Sequence, residues 1–246
     1  MFDPSAYGDG LASVYDRLYP HTPEADKAAQ FIAGHAPGGR LLELGVGTGR
    51  LALPLAGLGM RVHGVDASAQ ILDKLKERDP EGKITATLGD FTADLPEGPF
   101  DIALIGLNTL FMVPDREQQI ETLRLMRSRL GEGGVAIVET YDPWYYHRLT
   151  DPRVDVHHIG EKEIMIDTSY VSRSTQTVYI VHTTVAGGTP EKLVEISRYA
   201  WPSELDLMAR IAGLRLRARY SDWDGGPVRE DALRHISVFE VDNGGE

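Results

Sequence analysis

With 246 residues, 42% hydrophobic and 25% charged, the chain can bury one large core, and its composition is too ordinary for disorder. A net charge of −12 with no Lys/Arg run repels nucleic acid and anionic membranes, and the absence of cysteine removes disulfides and thiolate chemistry. No apolar run reaches the roughly 18 residues of a membrane helix, and the start "MFDPSAYGDG" lacks the basic flank and apolar stretch of an export signal, so a soluble, cytoplasmic chain is expected.

In chain order, Leu11, Val14, Tyr15 and Leu18 are spaced as one helical face, and a second helix over 22–34 opens with Pro23 in its first turn. These form a helical cap over about residues 8–36, closed by the breaker "APGG". A strand at 40–44 leads through a glycine loop to a helix in which Pro54 should distort a turn. A second strand, "RVHGVD", ends at Asp66, and Ser68 is placed to cap the helix carrying Ile71, Leu72 and Leu75. "ITATLGD" and "FDIALIGL" read as strands three and four, a helix spans 115–130, and "GGVAIVET" is strand five. Alternating strands and helices predict an α/β chain with a Rossmann-like, doubly wound sheet.

The texture changes after Thr140. "EIMIDTSYVS", "TQTVYIVHTTV" and "KLVEISRYAW" alternate apolar and polar residues between turns, which predicts three antiparallel strands inserted within about residues 150–201. Their edges need cover, from the acceptor side of the sheet or from the same strands of a second copy in a homodimer. A helix capped by Ser203 and the strands "RLRARYSDW" and "HISVFEV" then bring the main sheet to seven, in a single domain over 1–246.

The loop "LLELGVGTGR" narrows the cofactor. A glycine loop between strand and helix presents backbone N–H groups at the carboxyl edge of the sheet, where nucleotides bind. A dinucleotide fingerprint wants its third glycine one position later than Gly49, and Glu43 would repel a pyrophosphate at short range. An acid here suits a cation, and S-adenosylmethionine carries an ammonium and a sulfonium. Asp66 can accept from ribose hydroxyls, a feature that NAD enzymes share, while Asp90 can accept from an adenine amino group that Phe91 covers. Each has a plainer alternative: Gly45, Gly47 and Gly49 as a tight turn, Glu43 as a helix cap or partner of Arg50, and Asp90 as a loop cap.

These residues resemble the class I S-adenosylmethionine-dependent methyltransferases. "LELGVGTGR" matches the family's first motif, "VDAS" with Ala67 its second, "GDF" its third, and "FDIALIGLNTLFMV" the strand and loop facing the acceptor. The resemblance implies a seven-stranded methyltransferase sheet, S-adenosylmethionine as cofactor, S-adenosylhomocysteine as product, and a cofactor site that includes Leu107. "VYDRLYP" with the inserted strands is similar to the small-molecule branch, including amino-sugar N-methyltransferases and glycine N-methyltransferase-like enzymes. By that similarity Tyr15 and Tyr19 close over the methionine end, although packing aromatics would look the same.

The acceptor is expected to be a small organic molecule methylated on nitrogen or oxygen. "GLNTLF" lacks the Asn/Asp-Pro-Pro-aromatic run of nucleic-acid amino-methylating enzymes, and no His/Asp/Glu set has metal-ligand spacing. His157 and His158, adjacent in a strand, point to opposite faces and cannot serve one metal. Asn108, Thr109 and Trp144 are candidate acceptor contacts. Tyr145 and His147 are the nearest groups able to exchange a proton, with a structural role for His147 favoured over a catalytic one. A methyltransferase-fold cyclase and a noncatalytic S-adenosylmethionine-binding protein would share these motifs.

Overall fold

The computed structural model describes residues 3–93 and 95–242, so the first two and last four residues of the expected 1–246 span lie outside it. Three helices come first, α1 (Ala6–Leu11), α2 (Tyr15–Leu18) and α3 (Pro23–Ala33). Then follow β1 (Arg40–Leu44), α4 (Ala52–Gly57), β2 (Arg61–Asp66), α5 (Ala69–Arg78), β3 (Thr85–Leu88) and β4 (Phe100–Ile105). A 3-10 turn (Thr109–Met112), α6 (Arg116–Arg129), β5 (Leu130–Tyr141) and α7 (Trp144–His147) lead into β6 (Arg153–Gly160), β7 (Glu163–Ser172), β8 (Thr177–Val185) and β9 (Glu191–Arg198). The chain ends on α8 (Pro202–Ile211), β10 (Leu214–Tyr220) and β11 (Arg234–Val241).

The main sheet has seven strands in the order β10-β11-β5-β4-β1-β2-β3, and β1 to β5 run parallel. β11 pairs antiparallel with both β5 and β10. The parallel strands are apolar on both faces because helices cover both. Leu42, Leu44, Ala103 and Ile105 pack with Leu123 and Met126 of α6 and Leu205 and Met208 of α8. Leu41, Ile102 and Leu104, one residue out of phase, pack with Ile32, Leu55 and Leu75 of α3, α4 and α5. Each fully buried leucine or isoleucine here contributes roughly 1.5–3 kcal/mol. As expected, Ser68 caps α5, accepting from the Ile71 N–H at 3.1 Å; Asp115 caps α6 through the Gln118 N–H at 2.9 Å.

Four local expectations change. The inserted sheet has four strands, ordered β6-β7-β8-β9, where three were expected. β6 escaped because Asp155, His157 and His158 dilute its apolar alternation; His157 and His158 oppose Met165 and Ile164. The first helical face is split between α1 and α2, although Leu11 and Val14 are still buried. Ser203 caps nothing: Pro202, with its fixed φ, begins α8 one residue earlier, and Trp201 takes the cap position without a side-chain bond. Pro54 sits in the first turn of α4, where its missing N–H forfeits no helical hydrogen bond.

Buried polar contacts fasten the inserted sheet to the main fold. The Gln119 amide of α6 donates to the carbonyls of Val113 at 2.9 Å and Arg198 at 2.8 Å, and Arg198 donates back to it at 3.0 Å. A buried amide left without these partners would cost about 1–3 kcal/mol, so the end of β9 is held against α6 and the 3-10 turn.

Candidate functional site

Parallel pairing brings the carboxyl ends of β1, β2, β4 and β5 to one edge, and with them Gly45, Asp66, Gly106 and Tyr141. These residues line a cavity of about 520 Å³ that runs from the glycine loop to the inserted sheet. After β1 the backbone turns back onto β2, with the Gly45 and Val46 N–H groups both donating to the Val65 carbonyl, at 2.8 and 3.1 Å. Gly45 adopts φ +73°, and a Cβ on it would lie 2.5 Å from the Thr109 methyl; at Gly47, with φ +57°, it would lie 3.2 Å from the Tyr15 hydroxyl. A side chain at either position would occupy space the cavity needs. Asp66 braces the loop, accepting from the Gly47 N–H and the Ser68 N–H, each at 3.0 Å.

Beneath this loop lies Glu43, 4% exposed. Its Oε2 has no hydrogen-bond partner among the described residues, and burial lifts its pKa to about 8 despite the opposing charge of Arg50. Arg50 reaches Glu139 at 3.7 Å instead of Glu43. A buried, unpartnered carboxylate facing a glycine-walled cavity is the complement of a compact cation. The site therefore fits the adenosyl cation anticipated from the motifs, with Glu43, Gly45, Gly47, Asp66, Ala67, Phe91 and Leu107 all in its lining.

The amino-terminal helices are bolted over the cavity by side chains. The Ser68 hydroxyl donates to Asp9 at 2.6 Å, and the Thr48 hydroxyl donates to Asp16 at 2.7 Å, which also accepts from Arg78 at 2.8 Å. Arg17 reaches across to the Ile159 carbonyl and Glu163 of the inserted sheet. Tyr7, Tyr15 and Tyr19 are thereby set into the cavity, with 2.9 Å between the Tyr7 and Tyr19 hydroxyls and 5.0 Å between the Tyr15 and Tyr19 ring centres. Burial raises the pKa of all three hydroxyls, keeping them protonated.

The inserted sheet supplies the far wall. His182, 6% exposed, donates from Nδ1 to Asp167 at 2.8 Å and from Nε2 to Glu195 at 3.1 Å. Burial alone would lower its pKa, but the two carboxylates carry it to about 9. An imidazole donating at both nitrogens is an imidazolium, with no lone pair left for a metal or a proton.

The sequence-derived candidates divide. Tyr15, Tyr19, Glu43, Gly45, Gly47, Asp66, Ala67, Phe91, Leu107, Asn108 and Thr109 all line the cavity. Leu107 and Asn108 have φ of 45° and 66°, and this turn is pinned by the Leu107 N–H donating to Glu139 at 2.7 Å and the Asn108 side-chain oxygen accepting from the Tyr141 N–H. Gly49 lies behind the loop, where a Cβ would meet Leu75 at 2.6 Å. Asp90 accepts from the Thr92 N–H at 2.8 Å and its hydroxyl at 2.7 Å, as a loop cap does, and is outside the cavity lining.

Trp144, Tyr145 and His147 are also outside that lining. Trp144 is 58% exposed, Tyr145 lies under the Arg153 guanidinium at 4.9 Å, and His147 Nδ1 is 2.6 Å from the Tyr199 hydroxyl. The one-turn helix α7 rotates these away and turns Tyr146 inward. Tyr7, Tyr141, Asp167, His182 and Glu195 went unnoticed in the sequence. Strand alternation could have placed Asp167, His182 and Glu195 on one face, but only the register of β7, β8 and β9 brings them together.

Residues 41–134 match a family model described as a methyltransferase domain. Over 98% of its length the chain is 34% identical to the CcbJ methyltransferase of Streptomyces caelestis, covering 99% of that chain with a TM-score of 0.90. It is 29% identical to a cypemycin N-terminal methyltransferase of a Streptomyces species, over 98% of this chain and 99% of that protein. The sugar N-methyltransferase KedS8 of a Streptoalloteichus species, 18% identical with 97% of each chain covered and a TM-score of 0.69, shares the fold.

Proposed function

Because this chain belongs to the class I S-adenosylmethionine-dependent methyltransferases, we propose that it methylates nitrogen or oxygen of a small organic molecule, with an amine nitrogen as the acceptor favoured. When bound, the cofactor supplies a methyl group already activated on a sulfonium, which passes to the acceptor and leaves S-adenosylhomocysteine as product. One observation carries the reading: a single cavity joins Glu43, whose Oε2 has no partner among the described residues, to the polar face of the inserted sheet, so a cation on one side and an acceptor on the other share one space.

Glu43 would hold the cofactor's ammonium, and Asp66, braced on the glycine loop, its ribose. Tyr7, Tyr15 and Tyr19 exclude water from the reacting region, and Asn108 and Thr109 shape the wall that orients the acceptor. Aligning the partners is the chain's main contribution to rate. His182 is spent between two carboxylates and His147 lies outside the cavity lining, so neither offers a base to a hydroxyl acceptor, whereas a neutral amine needs none. A neighbour named as a sugar N-methyltransferase and a relative named as a cypemycin N-terminal methyltransferase agree with nitrogen, the second through the amine that a peptide's terminus carries.

Incubating the chain with S-adenosylmethionine and matched panels of primary and secondary amines and of phenols, with mass analysis of products, tests this reading. Methylated amines and stoichiometric S-adenosylhomocysteine are expected; methylated phenols alone would reassign the acceptor atom, and cofactor binding without product from any acceptor would favour a noncatalytic role. A second copy packing against the exposed Val154, Val156, Tyr170 and Val194 of the inserted sheet remains part of the proposal, read by light scattering.

A further inference from the structure

We propose that the inserted sheet carries an ammonium-binding cage for the methylated amine, built from the Glu195 carboxylate and the tyrosines that line the same cavity; the inference rests on the methyl-transfer reading above. The cage begins with strand register. Asp167 of β7 lies opposite His182 of β8, and Glu195 of β9 is opposite Ile180, diagonal to His182 on the same face. His182 donates one N–H to each acid, and Asp167 also takes His157 Nε2 on its second oxygen at 3.0 Å. Both Asp167 oxygens are therefore occupied. Glu195 is engaged only through Oε2, and its Oε1 accepts no hydrogen bond from any described residue.

Charge arithmetic gives the site its sign. With His157 counted neutral, two carboxylates and the His182 imidazolium leave a single negative charge on this part of the wall, and Oε1 of Glu195 accepts no hydrogen bond to match it among the described residues. Tyr7, Tyr19, Tyr141 and Tyr146 line the same cavity. Burial first, and the nearby charge of Glu195 with it, raises the pKa of each of these hydroxyls, so the phenols stay neutral and act as acceptors and π-faces. The Tyr141 and Tyr146 rings stand edge to face with centres 5.2 Å apart. The Tyr141 hydroxyl is buried beside the Ser197 side chain and makes no hydrogen bond of normal geometry among the described residues, which leaves it able to take a polar guest.

A carboxylate oxygen beside several neutral aromatic rings is the arrangement that recognises alkylated ammonium groups, through cation–π attraction and one charge-assisted bond. An anion would meet net repulsion, and a neutral alcohol would leave the carboxylate charge unmatched. The guest class is thus a methylated aliphatic ammonium, the cation an amine becomes on gaining a methyl group; the nitrogen that attacks enters as the neutral amine, with its lone pair free. His182 acts as a positioning residue: clamped between both acids, it fixes the Glu195 carboxylate in place.

The test uses tetramethylammonium as a probe of the cation and tert-butanol as its neutral counterpart of similar shape, titrated by ligand-observed NMR into the full chain saturated with S-adenosylhomocysteine. Tetramethylammonium should bind, tert-butanol should bind at least about tenfold more weakly, and Glu195→Gln should weaken tetramethylammonium by about tenfold or more while leaving S-adenosylhomocysteine affinity unchanged. Equal binding of the two probes to the unmutated chain would overturn the cage, and that comparison stands even if the variant fails to fold. Unchanged tetramethylammonium binding in a folded Glu195→Gln variant, or a loss of S-adenosylhomocysteine affinity along with it, would overturn it as well. Failure of the unmutated chain to bind S-adenosylhomocysteine at all would instead remove the methyl-transfer reading on which the cage rests.

Discussion

The two walls of the cavity hold buried charge in opposite ways. Under the glycine loop, Glu43 is buried and left with an oxygen that has no hydrogen-bond partner among the described residues, so its carboxylate is disfavoured until a cation arrives. On the inserted sheet, His182 is almost as buried, yet both ring nitrogens are matched by carboxylates and its charged form is favoured. One wall is completed only by its ligand, whereas the other is prebuilt, with one oxygen to spare. The difference teaches where binding energy should come from: neutralisation on the cofactor side, and shape with a fixed charge on the acceptor side.

The largest expected effect falls mainly on the cofactor wall. Gly45→Ala forces a side chain into φ +73° and onto Thr109 at 2.5 Å. Calorimetry should show S-adenosylhomocysteine binding weakened by roughly 10²-fold, since such backbone strain costs about 1–3 kcal/mol before any clash. Because the cage groups Glu195, Tyr141 and Tyr146 stand on β9, β5 and α7, tetramethylammonium binding should change by less, even as Thr109 gives way; equal losses of both ligands would merge the two walls into one unit.

A smaller effect sharpens the contrast through pH. His182 in the folded chain keeps its proton to about pH 9, while its unfolded counterpart loses it near 6.5. Between those values the folded state holds the extra proton, so the stability that His182 contributes is complete below pH 6.5 and lost as pH rises toward 9. Melting temperatures should fall across this window, and His182→Gln should flatten the fall by on the order of a few degrees. An unaltered slope in the variant would show that the triad is not an ion-paired unit.

The smallest effect separates two serines. Ser68→Ala removes the cap on Ile71 and the bond to Asp9 that ties α1 over the cavity, and should cost about 1 kcal/mol in denaturant unfolding. Ser203→Ala removes no cap and should stay within about 0.5 kcal/mol. A reversed order would contradict the helix starts described above.

The same two walls explain what could be read from the chain before its structure. Glu43, Gly45, Gly47, Asp66 and Ala67 were legible because they sit at strand ends, where the polypeptide itself sets the spacing between an acid, a turn and a helix. The five parallel strands and the two terminal ones followed from periodicity for the same local reason. Asp167, His182 and Glu195 were not legible, since their meeting depends on hairpin register across three strands, and a shift of one residue would send any of them to the other face. The exchange of Tyr145 for Tyr146 in the cavity turns on the rotation of a single helical turn, α7, which no periodicity announces. Tyr7 stands in a segment whose placement comes from Asp9 and Ser68, 59 residues apart in the chain.

The central claim, that Glu43 is the seat of the cofactor's positive charge, is tested most directly by calorimetric titration of S-adenosylmethionine at pH 7 in two buffers of different ionisation enthalpy. With a pKa raised to about 8, Glu43 is mostly protonated before binding and must ionise to meet a cation, so about one proton should be released per cofactor bound. Glu43→Gln should abolish that release and weaken binding, and NADH should give no titration. Binding of S-adenosylmethionine without proton release, at an affinity that Glu43→Gln leaves unchanged, would contradict the assignment.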